Sequence, residues 1–350
     1  MRTISILLLA AVAFAPSCGP SGHTDDEPSP PTGDSLPRTL VIETGSLHID
    51  AIYPSMTGPN SRVPVDWSDL DWVTGIKTEV IDRSTGAPMG DEFLCHTALQ
   101  FTHLAQADRP IVTATGISEV YFPAGFAMPL SRLVKQYAGS SLDFVGMVLN
   151  NHEPDIDAQV NVPATIQYLH DADLESTGPI KPLMRAEIPI TVKDIAEYTP
   201  ENANPLDNPD NPDVTTHCVL ATKGNISHWL VPPGRQKTRN RLDGSFLDSD
   251  VTVHYGVVHL HNYGVYMRLT DMTTGEILWQ TDVVYEPDRK QIAQIPSYSS
   301  VEGFKLRLDH VYEIEALYDN TTDHDIDAMA AMSLYHNNGV QASFSKGPPG

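Results

Sequence analysis

The chain has 350 residues, 41% of them hydrophobic, with 28 Pro and 23 Gly. This length is sufficient for two domains of ordinary size, and the many Pro and Gly residues favour a turn-rich β protein over a helix bundle. Lys and Arg number 22 against 45 Asp and Glu, a formal charge of −23. Such a surface repels phosphate backbones, so we expect no nucleic-acid partner.

The first 18 residues have the layout of a secretory signal. One Arg precedes an apolar run at 4–15 that is too short to span a bilayer, and small residues then lead to Cys18. A cysteine in this position is typical of a bacterial lipoprotein, with a plain signal peptide as the alternative. We therefore expect an exported cell-envelope lipoprotein that contacts the membrane only through a lipid on Cys18. The Pro-, Ser- and Asp-rich residues 19–38 predict a disordered tether.

From residue 39 onward, short runs rich in Val, Ile, Phe, Tyr and Thr alternate with turn signals, as in LVIETGSLHIDAIYP, TGIKTEVIDRSTGAPMG and FLCHTALQFTHL. Short helices are expected only near 128–137 and 325–334. The pattern predicts an all-β protein made of two consecutive jelly-roll-like β-sandwich domains. Pro, Asn and Asp dominate 198–213, which predicts a linker between an N-terminal domain at 39–197 and a C-terminal domain at 214–346.

A His-x-His pair lies at the centre of VVHLHNYGVYM, residues 257–267. Side chains alternate between the two faces of a strand, so His259 and His261 point the same way and can bind one metal ion with little rearrangement. Histidines that pack on a sheet, or that are hydrated at its edge, have the same spacing. The pair alone therefore leaves both interpretations open.

The order of landmarks around this pair carries a family resemblance. HWLVPPG at 228–234 is followed by the His-x-His strand, by EILWQTDVVYE, by VYEIEALYDNT and by IDAMAAMSLYH. This succession resembles the C-terminal domain of the copper type II, ascorbate-dependent monooxygenases, the family of peptidylglycine α-hydroxylating monooxygenase and dopamine β-monooxygenase. The resemblance implies that His259, His261 and Met329 are the catalytic ligands of the copper at which O2 is activated, with Met332 as the alternative thioether.

The N-terminal half resembles the first domain of the same family. FPAGFAMPL and FVGMVLNNHEP match a region that contributes a ligand to a second, electron-supplying copper. The resemblance implies Cys95, His96 and His152 as ligands, although Cys95 stands where the family has a histidine and Asn150 occupies the position of another. A buried Cys95, or one in a disulfide with Cys218, is the alternative.

Together these features predict a copper-dependent monooxygenase with one or two copper ions. It would hydroxylate an unidentified small-molecule or peptide substrate, using O2 and ascorbate or another reductant. Two alternatives stay open: a non-catalytic copper-binding surface lipoprotein, and a β-sandwich interaction module whose histidines bind nothing.

Overall fold

The computed structural model describes residues 36–337, except 54–57, 91–92, 103–108, 116–118, 137–140, 151–152, 194–224, 227, 245–246, 248 and 288–291. The predicted signal segment with Cys18, nearly all of the tether and the whole 198–213 linker lie outside this part. Among the described residues, no helix has the length and apolar character needed to cross a membrane.

The first half of the chain contains two four-stranded sheets that face each other. One has the order β1 (Arg38–Glu43), β12 (Pro163–Leu169), β4 (Trp72–Thr78) and β8 (Glu119–Tyr121). The other has the order β3 (Asn60–Pro64), β10 (Ser141–Val148), β6 (Leu94–Thr102) and β7 (Arg109–Thr115). Between them the hydroxyls of Thr78 and Thr97 lie 3.4 Å apart, and Leu99, Phe144 and Ile166 are fully buried.

Smaller elements complete this half. A three-stranded sheet has the order β2 (Leu47–Ile49), β11 (Ala158–Asn161) and β5 (Ile81–Asp82), and β13 (Lys181–Pro182) pairs with β9 (Phe126–Ala127). The helices are short: α1 (Leu130–Gln136), a 3-10 turn (Asp171–Asp173) and α2 (Leu174–Thr177). Helix α1 lies in the segment 128–137 that the sequence predicts as helical.

The second half is built on two further sheets. We call the first the inner sheet: β14 (Met184–Pro189), β26 (Ile326–Asn337), β19 (Val251–Leu260) and β24 (Tyr298–Leu306), with β17 (His228–Val231) also paired to β26. We call the second the outer sheet: β18 (Gly234–Asp243), β25 (Val311–Asn320), β20 (Gly264–Asp271) and β21 (Glu276–Asp282). Two short ladders pair β15 (Val192–Lys193) with β16 (Asn225–Ile226) and β22 (Val284–Tyr285) with β23 (Ile292–Gln294).

The inner and outer sheets pack face to face as a sandwich. The indole of Trp279 lies so close to Gly256 that a Cβ at that position would be 2.8 Å from the ring, so the strand needs glycine there. Trp229 meets Tyr318 edge-on, with the ring centres 6.0 Å apart. These aromatic contacts fill the space between the two sheets.

The predicted all-β class is confirmed, but one expected helix is wrong. Residues 325–334 lie mostly in β26, which pairs with strands on both of its sides and is buried on both faces. A strand of this kind has a continuous apolar run instead of an alternating one, which is why its sequence can be mistaken for a helix. Strand β14, which the sequence assigns to the first domain, forms an edge of the inner sheet; the domain boundaries stay a prediction.

The inner sheet also contacts the first half of the chain, and we call this contact the seam. Phe122 packs against Tyr255 and Tyr335, with ring centres 5.4 and 4.9 Å apart. The backbone N–H of Tyr121 donates to the hydroxyl of Tyr255 at 3.3 Å. The seam is therefore a packed aromatic contact, and the predicted site residues lie further along it.

Candidate functional site

Three imidazoles meet in the seam. The ring centre of His96, in β6, lies 4.5 Å from that of His259, in β19. The rings of His259 and His261 are 5.0 Å apart and nearly perpendicular, at 88°. All three residues are at most 5% exposed. We call His96, His259 and His261 the histidine cluster. The sequence predicts His96 as a ligand of a separate second copper centre, whereas in the structure its ring contacts that of His259; its role as a ligand stays a prediction.

Strand alternation explains how the inner sheet contributes its part of the cluster. His259 lies opposite Ala331 of β26, and its small partner leaves room for the ring on the seam face. Met329 is two residues before Ala331, so it belongs to the same face, and it is 1% exposed. Met332 lies opposite Val258 and points to the other face, into the sandwich core. Met329 is therefore the methionine that stays a candidate ligand.

A buried hydroxyl fixes the end of the His-x-His strand against β26. The backbone N–H of His261 donates to the hydroxyl of Tyr318 at 3.1 Å, and this hydroxyl donates to the carbonyl oxygen of Met329 at 2.5 Å. Tyr318 is fully buried. A single side chain from the outer sheet thus connects the backbones of two predicted site residues.

The two outer imidazoles of the cluster each have a polar neighbour at Nδ1. The sulfur of Cys95 lies 2.8 Å from Nδ1 of His96, and a carboxylate oxygen of Asp327 lies 3.2 Å from Nδ1 of His261. A partner at Nδ1 fixes the ring orientation and directs Nε2 to the opposite side. Cys95 therefore contacts His96 at Nδ1 and leaves Nε2 on the other side of the ring.

Asp327 is a site residue that the sequence does not single out. Its spacing of two residues from Met329 puts both on one face of a strand. That signal depends on treating the segment as a strand, whereas we expect a helix there from the sequence. Because the sequence predicts a helix at 325–334, it does not predict that Asp327 and Met329 share a face.

Other predicted site residues lie elsewhere or outside the described part. His152, Cys18 and Cys218 are outside it, so lipidation and a disulfide stay predictions. Asn150, at the position of an expected histidine, is fully buried, and its amide donates to the carbonyl oxygens of Ala51 and Glu153 at 2.8 and 2.7 Å. Its role in the structure is to fix a loop.

The histidine cluster is not arranged as a preformed metal site. Among the described residues, no group of three or more His, Cys, Asp or Glu has its donor atoms placed to bind one ion. The rings of His96 and His259 are tilted by 44° relative to each other. A preformed site of three such ligands is therefore absent from the described part of the chain, and a copper site that includes Met329 or His152 stays a prediction.

Among the solved structures that are similar to this chain are amidases of low sequence identity. No protein-family model and no curated protein matches the sequence. Among solved structures, recombinant peptide:N-glycanase F is similar with a TM-score of 0.36 and 10% identity, over 87% of this chain and 97% of that one. PNGase F, a glycosylasparaginase from Flavobacterium meningosepticum, gives 0.37 and 8%, over 87% and 98%. A peptide-N(4)-(N-acetyl-β-D-glucosaminyl) asparagine amidase gives 0.38 and 8%, over 87% and 98%.

These comparisons correct the functional prediction. The expected membership in the copper type II monooxygenase family and the predicted hydroxylation are both wrong; the solved structures that are similar to the chain are amidases. The two alternatives, a copper-binding lipoprotein and an interaction module, gain no support from the comparisons either. The substrate class, the absence of nucleic acid and the cell-envelope location stay predictions.

Proposed function

We propose that the histidine cluster binds one divalent transition-metal ion in the seam. The observation that carries this proposal is the meeting of three buried imidazoles: His96 of β6, His259 of β19 and His261, which directly follows β19. Imidazole is the commonest protein ligand for such ions. Lone buried histidines usually serve packing, but three in contact across two sheets bring together the number of ligands that a metal centre needs.

The spacing of the rings supports the proposal. Two imidazoles on one tetrahedral ion hold their ring centres about 5 Å apart, since each nitrogen is about 2 Å from the metal. The cluster has separations of 4.5 and 5.0 Å. Each adjacent pair of rings is therefore spaced as two imidazole ligands of one ion would be.

The neighbours at Nδ1 of His96 and His261 also support the proposed metal site. Histidine ligands usually make a contact through the second ring nitrogen, which holds the ring and increases its basicity. Cys95 beside His96 and Asp327 beside His261 occupy that position. The carboxylate of Asp327 would also offset part of the ion's charge in a buried site.

Three imidazoles suit zinc, copper, iron and nickel. Zn(II) is the probe that we choose for the proposal, because it needs no change of oxidation state. Copper stays a prediction from the sequence and is the second probe, with Met329 as the thioether that would favour Cu(I). The proposal includes no oxidation and no hydrolysis.

Isothermal titration of the purified protein with Zn(II) tests the proposal. We expect about one ion per chain, with affinity reduced at least about 100-fold in His259→Ala and about 10- to 100-fold in Asp327→Asn. His310→Ala, whose ring contacts Asp271 away from the cluster, is the control and should bind as the wild type does. Circular dichroism verifies that each variant is folded. Failure of the folded wild type to bind either Zn(II) or copper, or unchanged affinity in both His96→Ala and His259→Ala, would overturn the proposal.

A further inference from the structure

Strand β18 carries a row of cations on one face. Arg235, Lys237, Arg239 and Arg241 alternate with other residues along this strand, so all four side chains project from the solvent side of the outer sheet. Their side chains are 63%, 46%, 50% and 67% exposed. Alternate residues of a strand are about 6.7 Å apart, so the row is about 20 Å long. We call these four residues, with Arg268 of the neighbouring β20, the basic strip.

The carboxylates that accompany the basic strip lie beneath it. Glu315 is only 3% exposed in its side chain and contacts Arg239, Arg268 and Lys237. Glu313 and Asp319, on the same strand β25, are 16% and 32% exposed. An exposed row of cations therefore runs along β18, with carboxylates beneath it and with Asp243 and Asp282 exposed on the same face of the outer sheet.

The arrangement keeps the central carboxylate ionised. Burial alone would raise the pKa of Glu315, but the hydroxyl of Tyr266 and the guanidinium groups of Arg239 and Arg268 lower it to about 2. Because Glu315 holds Arg239 and Arg268 in place, the cationic heads are ordered before any ligand arrives. Pre-ordered charges lose less side-chain entropy on binding.

The basic strip contrasts with the rest of the molecule. The chain has 22 Lys and Arg against 45 Asp and Glu, whereas five cations and five carboxylates lie together on this one face: Asp243, Asp282, Glu313, Glu315 and Asp319 are the carboxylates. An anionic ligand is therefore repelled by most of the surface, and the row along β18 is where it meets exposed cations in sequence.

We propose that the basic strip binds a linear anionic polysaccharide. A slender chain of charges can follow one strand and touch the cations alone. A flat anionic membrane would meet the strongly acidic remainder of the protein at the same time. Tyr266 of β20 is an aromatic side chain beside the basic strip, and Lys237 and Arg268 lie 5.9 and 5.3 Å from its ring centre. With its ring flanked by cations, it does not offer the stacking surface that single-stranded nucleic acid uses.

Binding of dextran sulfate, with uncharged dextran as the reference, tests this proposal on the full chain. The variant Arg235→Ser/Lys237→Ser/Arg241→Ser removes three exposed cations and leaves Arg239 on Glu315. We expect it to weaken binding of dextran sulfate at least about tenfold at low salt. Wild-type affinity should fall as salt rises, because the attraction is between exposed charges.

A charge-matched control separates the effect of the basic strip on binding from the effect of the protein's net charge. Lys135→Ser/Lys181→Ser/Lys305→Ser removes three exposed lysines elsewhere and should change the affinity less than about twofold. The proposal is overturned if the wild type does not bind dextran sulfate at low salt, or if both triple variants lose affinity equally. It is also overturned if anionic vesicles or single-stranded DNA bind as tightly, or if sedimentation shows that a second copy of the chain covers the strip.

Discussion

The inner and outer sheets of the second half differ in where their ionisable side chains lie: the inner sheet buries them, and the outer sheet keeps them at the surface. The inner sheet and the residue that follows β19 bury imidazoles, each less than a tenth exposed: His254, His259, His261 and His336. The outer sheet keeps guanidinium and ammonium groups at the surface, above carboxylates that pair with them. The difference follows from the cost of burying charge. An imidazole can lose its proton near neutral pH and enter a core, whereas a guanidinium must stay solvated or paired.

The largest effect should come from acid on the inner sheet. Burial lowers the pKa of His336 from 6.5 to about 4, so between these values the unfolded chain binds a proton that the folded chain does not. This contribution to stability is present above pH 6.5 and is lost as pH falls towards 4, by up to about 3 kcal/mol. Chemical denaturation measured across this range should show the loss in the wild type.

A pair of variants isolates the contribution of His336. In His336→Leu this part of the pH dependence should be absent. In His324→Gln it should be retained, because the side chain of His324 is 71% exposed. If the free energy of unfolding of His336→Leu falls with pH as steeply as that of the wild type, the buried imidazole does not cause the pH dependence. The contrast between the two sheets would then lose its main support.

A smaller effect is expected where the two sheets are connected by the hydroxyl of Tyr318. Tyr318→Phe leaves the N–H of His261 and the carbonyl of Met329 without this partner, and it should lower the free energy of unfolding by about 2 kcal/mol. Tyr312→Phe is the matched control, since its buried hydroxyl also serves both backbone groups of one residue, Arg307. Both variants should lose stability, but only Tyr318→Phe should weaken Zn(II) binding. Equal affinity in the two variants would show that the hydroxyl does not position the cluster.

The smallest stability effect should come from the outer sheet. Glu315→Gln removes the anion beneath Arg239 and Arg268, and we expect a loss of about 1 kcal/mol that is reduced by high salt. Glu313→Gln, which is more exposed, should cost less than about 0.5 kcal/mol. Thermal unfolding at low and high salt measures both. A loss for Glu315→Gln that does not depend on salt would indicate packing instead of charge as its cause.

Much of the fold is predictable from the sequence because local signals decide it. Alternating apolar residues and frequent turns predict the strands, and α1 lies where its period indicates. Strand β26 is the exception, because burial on both faces removes the alternation that distinguishes a strand. Predictions fail where neighbours in space, and not in sequence, determine the pattern.

The candidate site is likewise predictable from the sequence only where local signals determine it. The shared face of His259 and His261 follows from strand alternation. Their contact with His96 depends on how a strand of the first half packs on the inner sheet, and no local pattern encodes that packing. The basic strip is likewise visible as alternating cations in GRQKTRNRLD, but its pairing with Glu315 and Arg268 requires the register of three strands.

Anomalous diffraction from crystals of the protein grown with Zn(II) tests the central claim most directly. We predict one anomalous peak in the seam, about 2 Å from a nitrogen of each of His96, His259 and His261. A well-ordered seam without such a peak, or zinc found only at surface sites, would contradict the proposed metal centre.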